Sequence, residues 1–592
     1  MVLSPKFFKK QTIKRIILMS TTPEQNALIQ EFENIVGSKK VLTSESKTSY
    51  YRSGFRSGIG SALAVVFPHT LFQQWQVIEA CVKNNCIIIM QAAKTGLTEG
   101  SAPSGNDYDR DVVVISTLAI KDIHLINDGK QAISLAGATL HSLEETLEKI
   151  NRSPHSVIGS SQLGATVIGG IANNSGGALV KRGPAYTELA IYAQVDEKGK
   201  LHLVNNLGIE DLGDSPEEIL TNLQEGNFDA SKISYTKGIA SDNEYEARVR
   251  DVNSDIPARF NADERRLFES SGCAGKLGVF AVRTDTFLMP KREQVFYLGT
   301  NNPDKLAKLR TDILSRFENL PEMGEYMHRT IFNITEEYGK DTFVAIRYLG
   351  TKRMPLLYEI KSKAENFLKG FTFLPKDIPN KVMQYTSKLF PNQIPRRLLD
   401  IRDKYEHHLI LSMGDDGIEE AKAYLEEHWS EEKVDSDGGY IECTQEEGDK
   451  AILHRFAAGG ATGRYAVMHE DSIAGVLPLD IALRRNDTQW VETLPKEVQD
   501  NIDITLHYGH FMCNVFHQNY IFKKGTDKAR MKEIMLEFLD KKGAKYPAEH
   551  NVGHLYKAES SLQKFYAKLD PTNTFNPGIG KLSKYKQSCN CC

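Results

Sequence analysis

Three stretches of this chain hold residue types that could do chemistry. Pro154 to Glu188 carries Gly159, Gly164, Gly169, Gly170, Gly176, Gly177 and Gly183 among Ser160, Ser161, Thr166 and Ser175. Glycine lets backbone N–H groups approach an anion with no Cβ in the way, and the hydroxyls add donors, so this composition suits a phosphate cradle. A second cradle, Gln91 to Ser101, follows the apolar run Cys86 to Met90. Two cradles far apart along the chain suit a ligand with two phosphates. Neither fits the dinucleotide fingerprint with its acid about twenty residues on, and neither is a P-loop. The third stretch is split: His510 and His517 stand seven apart, and Glu549 and His550 are adjacent. A histidine titrates near neutral pH and can act as a base. The two spaced histidines suit hydrogen-bonded core positions equally well.

These residues must be positioned by a large scaffold. With 592 residues, 41% apolar and 25% charged, the chain reads as globular and is too long for one core, so about two to four domains are expected. The net charge of −4 gives no global pull toward nucleic acid. Cys81, Cys86, Cys273, Cys443 and Cys513 are scattered, which predicts a reducing compartment without a disulfide framework; Cys589, Cys591 and Cys592 read as a polar tail. Residues 1–20 form a basic extension whose apolar run is too short for a signal peptide, with Met19 an alternative start. No run approaches the roughly twenty apolar residues of a membrane span, so any membrane contact is expected from the side.

Periodicity predicts helices over 23–36, 70–84, 140–150, 418–429 and 531–541, and strands over 62–67, 86–91, 111–116, 123–126 and 131–135. A hairpin is expected at 192–204, strand and helix alternation over 451–520, and a featureless polar insertion over 210–255. Lys340 to Glu406 holds fourteen basic residues against seven acidic, interleaved with Tyr348, Tyr358, Phe367, Phe371, Phe373, Tyr385 and Phe390. Such a segment suits an anionic bilayer, where each basic residue contributes about 1 kcal/mol, or it is a solvated basic face.

The paired cradles resemble the FAD site of the vanillyl-alcohol oxidase/p-cresol methylhydroxylase flavoproteins and, within them, the quinone-dependent D-lactate dehydrogenase branch. The resemblance, from about Thr22 to Lys581, implies an α+β fold with a two-subdomain FAD-binding domain. An α/β cap interrupted by a basic membrane-docking insertion completes it. The implied divisions are an FAD-binding domain at 21–285, cap at 286–335, insertion at 336–408, cap again at 409–520, and a return to the FAD domain with the tail at 521–592. The cofactor-binding residues implied are Ala92, Ala93, Lys94, Thr95, Gly96, Gly100, Ser101, Gly159, Thr166, Gly176 and Val279. The loop from Gln91 to Asn106 has no histidine or cysteine, so the FAD is expected to be noncovalent.

The same resemblance implies oxidation of D-lactate to pyruvate with electrons passed to membrane quinone, on the cytoplasmic face of the inner membrane. FAD-dependent 2-hydroxy-acid dehydrogenases use H-x-G-D-G-N-x-H and E-H-G-x-G motifs. Carried over, His510, His517 and Glu549 would hold a divalent metal and His550 would be the base. Met512, Cys513, Asn514 and Val515 depart from the first motif and Asn551 from the second. A guanidinium fork suits the substrate carboxylate, and Arg455 stands where the family has W-x-x-R; Arg484 and Arg464 are the reserves. A soluble dehydrogenase of D-2-hydroxyglutarate or glycolate, or a non-catalytic flavin-binding membrane adaptor, are the alternatives.

Overall fold

The computed structural model describes residues 21–156, 160–349, 378–430 and 437–586. Gly159, the N-terminal extension, the middle of the basic segment and the terminal cysteines lie outside the described residues. Long apolar runs become buried strands. β1 (Val41–Leu42), β2 (Ala64–Val66), β3 (Ile87–Gln91) and β4 (Val112–Ser116) form a sheet in the order β1-β2-β4-β3. β2 and β3 lie parallel to β4, and burial on both faces accounts for their unbroken apolar character. Thr70 caps the helix Leu71–Lys83 by accepting the Gln73 N–H, and that helix buries Leu71, Trp75 and Ile78 over this half.

The second sheet is antiparallel. It holds β5 (Ile123–Ile126), β6 (Gln131–Leu135), β7 (Arg152–Pro154), β8 (Ala190–Val195), β9 (Leu201–Asn205) and β10 (Gly278–Leu288). β10 lies at its centre, between β6 and β8, and also pairs with β7.

The third sheet is wholly antiparallel, in the order β14-β11-β13-β12-β16-β17-β15. Its strands are β11 (Glu293–Thr300), β12 (Met323–His328), β13 (His407–Gly414), β14 (Gly438–Glu442), β15 (Ile473–Ala482), β16 (Ile502–His510) and β17 (Val515–Lys523). Two core clusters involve this sheet: one includes Leu306, Leu425, Met531, Met535 and Leu539, and the other includes Phe332, Leu398, Ala458 and Ala461.

The alternation predicted over 451–520 runs as the long helix Gln445–Met468, β15, the short helix Lys496–Gln499, β16 and β17. A Thr444/Glu447 capping box and the packing of Ala458 and Ala461 carry the long helix through Gly459, Gly460 and Gly463. The stretch 210–255 is not featureless: helix Pro216–Glu225 buries Leu220 and Leu223, an apolar pair hidden among charges. β17 runs to Lys523, and the helix Lys528–Lys542 packs Met531, Met535 and Leu539 into the cluster that holds Leu306 and Leu425. Farther on, the Ile88 N–H donates to the Thr574 carbonyl at 3.0 Å and the Asn576 N–H to the Ile88 carbonyl at 2.9 Å, joining the C-terminal segment to β3.

Candidate active site

Strand register assembles the reactive side chains. β12 sets Glu325 opposite His510, and β15 sets Asp480 opposite His517. Directly opposed residues in an antiparallel pair bring their Cβ atoms to within about 5 Å, so each histidine acquires a cross-strand carboxylate. His510 Nδ1 lies 2.6 Å from Glu325 Oε1, and His517 Nδ1 lies 3.1 Å from Asp480 Oδ1. Phe511–Asn514 turns β16 into β17, with Asn514 at φ +55°.

The chain after the helix Lys528–Lys542 brings in the last members. Asp480 accepts the Glu549 N–H at 2.9 Å on its carboxylate and the Ala548 N–H at 3.1 Å on its carbonyl. Glu549 Oε2 then lies 3.2 Å from His510 Nε2 and 3.9 Å from His517 Nε2, while Oε1 pairs with the Arg259 guanidinium. One donor atom from each of His510, His517 and Glu549 falls within 4.8 Å of the others. His550 Nε2 is 3.9 Å from Asp480 Oδ2.

Burial and charge set the protonation states. Burial alone would lift the Glu549 carboxyl, but Arg259 and His510 hold it well below the usual carboxylate range. Burial likewise opposes ionisation of Glu325, and His510 and Arg455 overturn it. Burial lowers His510, but the carboxylates Glu325 and Glu549 outweigh it and raise its pKa to about 9. Burial wins at His550, whose pKa falls despite Asp480 and Glu549, so that ring is neutral at physiological pH.

Both glycine-rich stretches open onto the same space. A cavity of about 540 Å³ is lined by the loop Gln91–Leu97, by Gly100 and Ser101, and by Thr166, Gly176 and Val279; on the cap side it meets Arg455, Tyr508, His510, His517, Glu549 and His550. At Gly96 the place of a Cβ is open, with no atom within 4 Å. Gly176 is required for another reason: a Cβ there would sit 2.2 Å from Glu549 Oε1. Thr166 is turned inward to accept the Gly169 N–H at 3.1 Å. Val279 lends its carbonyl to Gln74 at 3.1 Å. Lys94 lines the space, but its ammonium is spent on the carbonyls of Tyr50 and Ser53.

The arginines divide. Arg455 reaches the cavity wall, 2.8 Å from the fully buried Glu325 and 4.6 Å from the Tyr508 ring centroid. Arg484 does not reach it: β15 has ended, and the guanidinium lies against Gly543 at a helix C-terminus. Arg464 is paired with Asp341 at 2.8 Å. Glu325, Asp480 and Arg259 are the members that sequence reading missed. Asp480 lies in β15, just before Arg484, and a lone acid in so apolar a run was the available signal; Arg259 had none.

A profile described as FAD binding domain matches residues 62–205, and one described as D-lactate dehydrogenase, membrane binding, matches 295–588. The quinone-dependent D-lactate dehydrogenase of Escherichia coli is 55% identical over 96% of this chain and 98% of its own length. Those of Haemophilus influenzae and Corynebacterium glutamicum are 54% and 43% identical, over 94% and 96% of this chain and 98% of their own lengths. Among solved structures, 4-ethylphenol oxidase from Gulosibacter chungangensis matches with a TM-score of 0.56 at 12% identity, covering 95% of this chain and 98% of that one. p-Cresol methylhydroxylase matches at 0.55 and 13%, over 95% and 98%; at these identities the likeness shows the fold alone. By sequence over almost its full length, then, this chain belongs to the quinone-dependent D-lactate dehydrogenase family.

Proposed function

We propose that the protein oxidises D-lactate to pyruvate at a noncovalently held FAD and delivers the electrons to membrane quinone. The observation carrying this reading is that two backbone cradles and a carboxylate-oriented histidine cluster line one cavity. The glycines and Thr166 fit a diphosphate-bearing flavin, and the open space at Gly96 leaves room for its approach. When bound, FAD supplies the two-electron acceptor for the carbinol carbon.

His550 serves as the base. Its neutral ring can take the hydroxyl proton, and Asp480, 3.9 Å away, stabilises the imidazolium that forms. His510, His517 and Glu549 would hold a divalent ion, and the site fits one: each histidine has its Nδ1 on a carboxylate, which leaves Nε2 as the ligand atom and orients the ring. Such an ion supplies Lewis acidity that eases loss of the hydroxyl proton.

The membrane side of the reading rests on the basic segment. Among the described residues no helix is long and apolar enough to cross a membrane. The helix Ile378–Ser387 and the turn after it expose Val382, Tyr385, Leu389 and Phe390, with Lys388 Nζ 5.9 Å from the Tyr385 ring centroid. Apolar and aromatic side chains beside lysines suit the headgroup boundary of an anionic bilayer at the cytoplasmic face. In the proposed division the flavin half runs from 21 to about 288 and resumes after Ala548, with the cap between.

Anaerobic addition of D-lactate to the purified yellow protein tests the reading. Loss of the flavin band near about 450 nm is the expected result, and retention of colour across a panel of D-2-hydroxy acids would overturn it in favour of an adaptor.

A further inference from the structure

Of the site's three carboxylates Glu549 lines the cavity, while Glu325 and Asp480 stand behind its wall on His510 and His517. Arg455 stands 2.8 Å from Glu325, Arg259 pairs with Glu549, and His510 lies between Glu325 and Glu549. These cations answer the wall's own acids. A 2-hydroxy acid adds a further carboxylate, and a cation already matched to a buried acid is poorly placed to serve it.

Lys94 lines the cavity, but its Nζ donates to the carbonyls of Tyr50 and Ser53. Arg56 lines it too, and among the described residues this guanidinium has neither an ion pair nor a hydrogen bond. It sits at the tip of a short hairpin. Gly54 N–H donates to the Gly58 carbonyl at 3.0 Å, Gly60 N–H to the Arg52 carbonyl at 3.1 Å, and Ser53 bridges to Ile59. Ser57 donates to Glu99 of the first glycine-rich stretch, which anchors the tip beside the proposed flavin loop. Phe55 at the same tip also faces the cavity, and the Arg56 charge is felt at His550 and Tyr556.

We propose that Arg56 is the residue that binds the substrate carboxylate, with Phe55 beside it screening that contact from water. The planar fork of a guanidinium meets a carboxylate through two parallel hydrogen bonds. Its place at the mouth would admit the acid carboxylate-last, with the hydroxyl carbon directed inward to His550. This assignment rests on the hydroxy-acid reading above and moves the carboxylate role from Arg455 to the opposite wall.

The test uses the holoenzyme and the variants Arg56→Met and Arg56→Lys, each first checked for its flavin absorbance. Loss of a charge-assisted contact is expected to raise KM for D-lactate about 100-fold in Arg56→Met, with kcat at saturation changed far less and Arg56→Lys intermediate. Titration of the oxidised enzyme with oxalate, read as a flavin difference spectrum, is expected to weaken by a similar factor. The preference for D-lactate over the uncharged D-lactamide should collapse. Unchanged oxalate affinity in Arg56→Met, or its loss in Arg455→Met alone, would overturn the assignment. If the wild type is not bleached by D-lactate, the hydroxy-acid reading fails instead, so the two failures are distinguishable.

Discussion

The flavin-half cradles and the cap cluster line one cavity, yet they are built on opposite principles. The cradles work through backbone: Gly96 leaves space, Gly100 and Gly176 let Asn551 and Glu549 approach, and the side chain of Lys94 turns away to hold a neighbouring turn. The cap cluster works through side chains, held by strand register at Glu325–His510 and Asp480–His517. A site made of space should tolerate changes of charge and fail on added volume. A site made of buried ion pairs should do the reverse.

The sharpest break between them is His550→Ala. It is expected to slow flavin bleaching by D-lactate by about 10²–10⁴-fold while the yellow colour remains, as measured by stopped flow. Next is Glu325→Ala, which strands Arg455 and His510 in the interior and should cost about 3–5 kcal/mol in denaturant unfolding. Gly176→Ala tests volume on the cradle side. Its Cβ would meet Glu549, and a loss of about 1–3 kcal/mol is expected. Gly96→Ala should leave the unfolding midpoint almost unchanged and lower FAD retention during gel filtration, because the room it fills is the ligand's.

The smallest effect is a pH dependence of the chelator-treated protein. The folded His510 pKa is raised to about 9, above the ordinary histidine value of about 6.5. Its contribution is therefore fully present below about pH 6.5 and is lost as pH rises through about 9. Midpoints measured from pH 6 to 10 should fall across that window, and His510→Gln should flatten the fall.

Legibility followed the same division. Glycine-rich stretches announce themselves because conformational freedom is a property of the residue itself, and the helix Gly417–His428 was readable from spacing within a dozen positions. Glu325 was not, and Asp480 showed only as a lone acid in an apolar run, since an acid in a strand has no local mark of the histidine it will face. Arg484 carries no local mark of its destination either: β15 ends before it, and its guanidinium rests against Gly543. The long helix runs through Gly459, Gly460 and Gly463 because single-residue propensity, about 1 kcal/mol per glycine, is smaller than the packing that overrides it.

The amino-acid sequence by itself determined the two anion cradles, the alternation of elements in the flavin half and the presence of a basic, aromatic-rich segment. All of these arise from interactions between near neighbours. The tertiary structure alone decided which carboxylate meets which histidine, and that Arg56 lines the cavity with its charge unanswered. Those outcomes depend on pairing between strands remote in sequence, where a shift of one residue turns every side chain to the other face.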